Sequence, residues 1–216
     1  MSQTRTMTAV WGPLGWMTLH SVATSFPERP APTEKQLMMS WLELFRDTIT
    51  CVHCRDHFTK SLANYRARFP GMMDSRQEFA MFSFRVHNVV NARLNKPVYN
   101  SLDECMAVLQ KNTLTRSAQE YRNAYLNHIQ RYWSTMQDVS GIVALKKVIE
   151  MRKIENEYIA RRDTKFHIAL LSQPTTIPRA WVEGESAETT SAPVRLPTGG
   201  PAGILRLGPG GFRIRK

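Results

Sequence analysis

Three times within residues 1–110, a serine or threonine stands three positions ahead of a glutamate or glutamine, just before an apolar run: Thr33-Glu34-Lys35-Gln36, Ser75-Arg76-Gln77-Glu78 and Ser101-Leu102-Asp103-Glu104. In this pattern the hydroxyl accepts a backbone N–H of the first helical turn, and the side chain three residues on reaches back to the N–H of the capping residue. Each stretch therefore marks a helix start. The apolar residues that follow recur at helical spacing. Leu37, Trp41, Leu44/Phe45 and Thr48 give the buried stripe of a helix predicted over 33–48. Phe79, Phe82, Val86, Val89/Val90 and Leu94 do the same for 76–94, with Asn95 as its stop and Pro97 beyond. Cys105, Met106, Val108 and Leu109 mark a short helix, in which Cys105 reads as a small buried hydrophobe. A first helix opens at Trp11-Gly12-Pro13, with Pro13 in its first turn where a missing N–H costs nothing, and ends at Pro27. Another is predicted from Val52 to Tyr65 with Thr50 as its cap. Residues 1–110 thus read as helical throughout.

The remainder is less regular. Residues 111–172 read as a further helical unit, with Tyr121, Tyr125, His128 and Tyr132 on one stripe and Ile142, Leu145 and Ile149 on another, both predicted to be core. Lys165–Leu171 is also compatible with a short strand. Residues 173–216 hold 6 prolines and 7 glycines, a composition expected of an irregular tail. The net charge of +11 is carried as +3 over 1–110, +5 over 111–172 and +3 over 173–216. A basic C-terminal half suits an acidic partner such as nucleic acid or an anionic surface, against the plainer reading of a solvated basic face. The aromatic-basic interleaving of common RNA-binding modules is missing. No apolar run approaches the roughly 18 residues a membrane span needs. Met1–Val10 has no apolar core, so no secretory signal is expected.

Only three cysteines are present, too few for a disulfide scaffold, and two of them form Cys51-Val52-His53-Cys54. A pair at that spacing is catalytic or metal-binding. Three chemistries compete. Cys51, Cys54 and His57 are three possible zinc ligands, with His53 or His87 as a fourth, yet the second ligand pair usual in zinc motifs is missing. A thioredoxin-like pair needs a βαβ context that this helical sequence does not offer. A disulfide serving a flavin accounts for residues the other readings leave idle. Cys51 lies near a helix N-terminus beside Arg55 and His57, where a thiolate is favoured. Trp11, Trp16, Phe84 and Tyr99 can enclose rings. His20, His87, Asn88 and Asn91 can bond polar atoms, and Arg93 and Lys96 can offset a pyrophosphate. With no glycine-rich dinucleotide fingerprint, such a flavin has to be held by helices.

In three ordered blocks the sequence resembles the Erv/ALR flavin-linked sulfhydryl oxidases: Trp11-Gly12-Pro13 with Trp16, Leu19 and His20; Cys51-Val52-His53-Cys54; and His87-Asn88-Val89-Val90-Asn91 with Leu94, Lys96, Pro97 and Tyr99. The resemblance covers residues 1–110. It implies an all-α fold, a four-helix bundle plus a short fifth helix that binds FAD, followed here by a mainly helical extension and the Pro/Gly-rich tail. It implies Cys54 next to the flavin, Cys51 as the cysteine that exchanges with substrate, and an FAD site lined by Trp11, Gly12, Trp16, His20, His87, Asn88, Asn91, Leu94, Lys96 and Tyr99. Electrons would pass from a protein dithiol, or a small thioredoxin-like carrier, through Cys51–Cys54 to FAD and on to O2, giving H2O2. No resident metal is expected, and a homodimer is. The second, shuttling cysteine pair of many cellular members is missing, and only Cys105 stands where many carry a structural disulfide. This minimal set resembles members encoded by large DNA viruses, which implies a place in the host cytoplasm or virion, with the mitochondrial intermembrane space as the alternative. A structural or zinc-binding protein with an inactive oxidase-like fold is the competing reading.

Overall fold

The computed structural model describes residues 2–162, with side chains from Trp11 onward. The strand considered at 165–171 and the Pro/Gly-rich tail lie outside these residues. Seven α-helices follow one another: α1 (Ser2–Ser25), α2 (Pro32–Thr48), α3 (Val52–Arg68), α4 (Arg76–Arg93), α5 (Leu102–Asn112), α6 (Ala118–Ser134) and α7 (Val139–Glu157), then one 3-10 turn (Ile159–Arg161). There is no strand among the described residues, so the fold is all-α. No described helix is long and apolar enough to cross a membrane.

Two of the three capping sequences start helices through the hydroxyl half of the pattern alone, and Glu104 accepts the Asn100 N–H and not that of Ser101. Ser75 Oγ accepts from Glu78 N–H at 3.1 Å, and Ser101 Oγ accepts from Glu104 N–H at 3.1 Å. The first is displaced. Ala31 is the N-cap of α2, Pro32 takes the first helical position its fixed φ suits, and Glu34 accepts the Ala31 N–H at 2.9 Å. Thr50 is not the cap of α3 either. Cys51 is, its Sγ accepting from Cys54 N–H at 3.3 Å, and the helix continues past Tyr65 to Arg68. Pro13 lies inside α1, not in its first turn. Residues 2–10 contain no glycine or proline, so the helix begins upstream and carries a break in its hydrogen-bond ladder at that point. Helix α4 ends as expected at Asn95, whose φ of 53° closes the turn, with Asn95 N–H on Ala92 O at 3.1 Å and Lys96 N–H on Asn91 O at 2.8 Å.

Helix α1 packs between α4 and α6, while α7 lies along α2 and α6. Helices α2 and α7 run antiparallel, since Glu34 near the start of α2 meets Tyr158 at 2.9 Å and Asp47 and Thr48 at its end meet Lys147 and Met151. A single apolar cluster joins the first four helices to the last two. It contains Phe26, Trp41, Phe45, Phe58, Tyr65, Phe79 and Phe82 together with Tyr125, Ile129, Trp133, Val148, Met151 and Ile154. Edge-on aromatic pairs such as Phe26–Phe79 (5.6 Å, 84°) and Tyr65–Phe82 (5.0 Å, 77°) add about 0.5–1.5 kcal/mol each beyond their buried area. A second cluster, with Met17, Ala80, Phe84, Cys105, Met106 and Leu109, seats α5 on α4. The described part of the stretch predicted over 111–172, as far as residue 162, is mainly helical, but one of its stripes is wrongly assigned to the core. Ile142 and Ile149 are 53% and 64% exposed, and Ala144, Val148, Met151 and Ile154 face inward. Helix α7 is apolar on both faces, so periodicity alone did not decide which face was covered.

Candidate redox and cofactor site

The site begins where α2 stops. Residues Ile49 and Thr50 cross buried to Cys51, which caps α3 and is joined by a disulfide to Cys54 one turn on, with Cα atoms 5.2 Å apart. The two sulfurs face different surroundings. Cys54 forms part of the wall of a cleft of about 630 Å3. Cys51 is half-buried like Cys54 but does not line the cleft, and it sits next to Val52 and His53, which are open to solvent. Bonded to each other, the cysteines hold no thiolates for zinc in this state.

The cleft is walled by α1, α3, α4 and the segment after α4. Trp11, Gly12, Trp16, His87, Asn91, Leu94, Lys96 and Tyr99 all line it, as does Arg93. Its volume lies within the range of small-molecule and cofactor sites, and its walls are largely apolar with a few polar groups. Two residues of the implied FAD set, His20 and Asn88, lie behind the wall and hold others in place. Asn88 Nδ2 donates to Tyr99 O at 2.8 Å and Oδ1 accepts from Tyr99 N–H at 2.9 Å, a two-way clasp that fixes Tyr99 on the cleft. Phe84, read as a possible ring partner, is fully buried in the second cluster and does not line the cleft. It lies on the α5 side of α4, which the sequence pattern did not separate from the cleft side. The contribution of α5 itself, through Glu104, Val108 and Leu109, was not read from the sequence.

His20 and His87 are neutral partners of fixed tautomer. The Ser83 hydroxyl donates to Ala80 O at 2.8 Å, so its oxygen accepts from His20 Nδ1–H at 2.9 Å. His20 Nε2 is then an acceptor and takes His87 Nδ1–H at 2.9 Å. The lone pair of His87 thus falls on its Nε2, and its ring is stacked on Trp16 with centroids 4.0 Å apart and planes 10° off parallel. Burial, with His87 nearby, holds His20 well below the usual histidine range, and burial aided by Lys96 brings His87 down to about 3. Neither ring carries charge near neutral pH. Ser83 was not singled out in the sequence, and a lone serine inside a helix gives no signal there.

A flavin nucleotide suits these residues. The indole Nε1–H of Trp11 is buried on the cleft without any acceptor, and a bound polar atom would supply one. Arg93 and Lys96 offer positive charge to a pyrophosphate, and the aromatic rings offer a flat enclosure. Cys105 is fully buried, its Sγ 3.9 Å from His20 Nε2, and burial pushes its thiol up to about 12. Such a thiol is inert. Cys105→Ala is expected to leave dithiol oxidation within about twofold of wild type, since a reactive cysteine needs the thiolate; a steady-state assay checks this.

The sequence profile of the Erv1/Alr family matches residues 14–114. The chain is 35% identical over 88 residues to a putative FAD-linked sulfhydryl oxidase of Invertebrate iridescent virus 3, covering 41% of this chain and 58% of that one. It is 34% identical over 88 residues to the FAD-linked sulfhydryl oxidase of African swine fever virus (isolate Tick/Malawi/Lil 20-1/1983), covering 71% of that protein. The chain belongs to the Erv1/Alr family. Among cellular relatives, FAD-linked sulfhydryl oxidase ERV2 of Saccharomyces cerevisiae is 29% identical over 99 residues, 46% of each chain. No solved structure matches. FAD is the cofactor of the Erv1/Alr family, and the family segment stops before α6, so helices α6 and α7 lie outside it.

Proposed function

We propose that this chain is an FAD-dependent sulfhydryl oxidase that forms disulfides in proteins, with the balance 2 R–SH + O2 to R–S–S–R + H2O2. The observation that supports the reading is the asymmetric setting of one half-buried disulfide, with Cys54 in the cleft wall and Cys51 off it, beside the solvent-exposed Val52 and His53. A substrate thiolate attacks Cys51 Sγ, the Cys51–Cys54 bond breaks, and Cys54 leaves as a thiolate on the cleft side. The N–H groups of the first turn of α3 stabilise that charge. The second substrate thiol, losing its proton, displaces Cys51, so substrate departs as a disulfide and both protein cysteines are left reduced. Bound FAD supplies the acceptor for the two electrons and their route to O2. The chain's own residues hold it: Trp11, Trp16 and Tyr99 enclose rings, Gly12 and Leu94 complete the wall, Asn91 and the His87 Nε2 lone pair bond polar atoms, and Lys96 offsets phosphate charge. His20 and Asn88 support His87 and Tyr99 from behind.

The same resemblance extends the reading to a protein dithiol or a small thioredoxin-like carrier as electron donor, to a homodimer, and to virion proteins as substrates in the host cytoplasm. The basic C-terminal half offers a surface for nucleic acid or a virion component.

The test is an absorption spectrum of the purified protein followed by a dithiol oxidation assay with peroxide detection. A flavin band near ~450 nm at about one flavin per chain is the expected result, because the protein's part is binding and orientation. Colourless protein with stoichiometric zinc overturns it. His87→Ala and Asn91→Ala are each expected to weaken flavin retention about tenfold or more, the order of a lost hydrogen bond plus an unpaired buried group. Flavin titration of the apoproteins measures this.

A further inference from the structure

We propose that Trp133, on α6 and beyond the family segment, is a positioning residue that clamps the chain entering the Cys51–Cys54 disulfide. The inference rests on the reading of that disulfide as the redox centre. Helix α2 ends at Thr48, and its last carbonyls have no partner within the helix. One of them, Thr48 O, accepts the indole Nε1–H of Trp133 at 3.0 Å in the interior, where Thr48 is fully buried and Trp133 nearly so. The Thr48 hydroxyl donates to Leu44 O at 2.8 Å and rests 3.4 Å from Met151 Sδ on α7. Next along the chain, Ile49 is buried in the main cluster and its carbonyl accepts Arg55 Nη1–H at 3.5 Å. Thr50 is buried as well. Both residues between α2 and the sulfur cap of α3, Ile49 and Thr50, are therefore buried, and the residue before them, Thr48, is gripped from α6 and α7.

The chemical consequence concerns the equilibrium of the pair. A disulfide persists in proportion to how often its two reduced sulfurs meet, which is an effective concentration set by the backbone that carries them. Cys54 is fixed by the first turn of α3. Cys51 is the helix cap, where the chain turns, and its freedom is limited by the segment before it. Trp133 restrains that segment, so it favours the oxidised pair and keeps the opened Cys51 thiol near Cys54. Without the indole N–H the buried Thr48 carbonyl would lose its partner, and the segment would lose this restraint.

Trp133→Phe in the full-length, flavin-loaded chain removes the N–H and keeps an aromatic ring. The readout is the glutathione redox buffer at which Cys51–Cys54 is half reduced, followed by alkylation and mass spectrometry. The pair is expected to be reduced about threefold or more readily, the size of one net hydrogen bond, with flavin per chain unchanged and kcat for dithiothreitol lowered. Val148→Ala serves as the structural control, since Val148 is buried in the same hairpin and does not touch Thr48 through a hydrogen bond. It is expected to lower Tm without moving the redox midpoint. An unmoved midpoint in Trp133→Phe, or an equal shift in Val148→Ala, overturns the proposal. Should Trp133→Phe fail to fold, benzothienylalanine at position 133 keeps the shape of the indole and lacks the N–H, and the same midpoint decides. Wild-type protein without flavin or dithiol oxidation refutes the proposed function instead, and the glutathione midpoints remain measurable.

Discussion

Cys54→Ser is expected to abolish turnover with dithiols, by about a thousandfold or more, and to leave FAD bound; Cys51→Ser is expected to do the same, because in the proposed cycle each residue is one half of a single nucleophile-and-leaving-group unit. The two variants are expected to differ in what they trap. With Cys54 gone, the half-buried Cys51 can still exchange with a single-thiol disulfide such as glutathione disulfide, and once the released thiol is removed no second thiol resolves the bond. A long-lived mixed disulfide with an oxidised substrate is expected by mass spectrometry. With Cys51 gone, the remaining sulfur lines the cleft and the outer attack point is lost. A mixed disulfide in Cys51→Ser and none in Cys54→Ser would reverse the assigned roles.

Glu155→Ala is expected to destabilise the protein by about 3–5 kcal/mol, the usual consequence of removing one partner of a buried ion pair. Arg122 on α6 and Glu155 on α7 meet at 2.8 and 3.0 Å with both side chains almost fully buried, and a further Arg122 N–H lies 3.3 Å from Ser21 Oγ on α1. The lost carboxylate leaves a guanidinium in the interior with one weak acceptor. For a chain of this size the loss corresponds to roughly 6–20 °C in Tm. Thermal unfolding of both Glu155→Ala and the double variant Arg122→Met/Glu155→Leu checks the cause. Recovery in the double variant identifies the unpaired charge, since well-packed apolar replacements of such pairs are often neutral or better.

How much of this was legible in the sequence follows from where each signal is local. Ser75 and Ser101 announced α4 and α5 because a cap and its helix are neighbours in the chain. Asn95 announced the end of α4 for the same reason. The sequence blocks around Trp16, Cys54 and His87 led to residues that meet on one cleft, although spacing along the chain does not convey which side chain faces it. His20 and Asn88 are inside the wall and Phe84 is on the other side of α4. What was invisible depends on pairing between distant residues. Nothing near Trp133 indicates that its N–H ends on Thr48, and nothing near Arg122 indicates Glu155. Helix α7 carries apolar residues all round, so the choice of covered face was made by α2 and α6, not by its own period.

The single apolar cluster has a consequence for the order of events during synthesis. The contacts that seat the end of α2 span 85 residues to Trp133 and 103 to Met151, and Glu34 waits 124 residues for Tyr158. At a synthesis rate of about 5–20 residues per second, the segment bearing both cysteines emerges several seconds before the helices that cover α2. A growing chain therefore exposes its thiols before they are held in register. The end of α2, which leads into that segment, is seated only once α6 and α7 have emerged and docked.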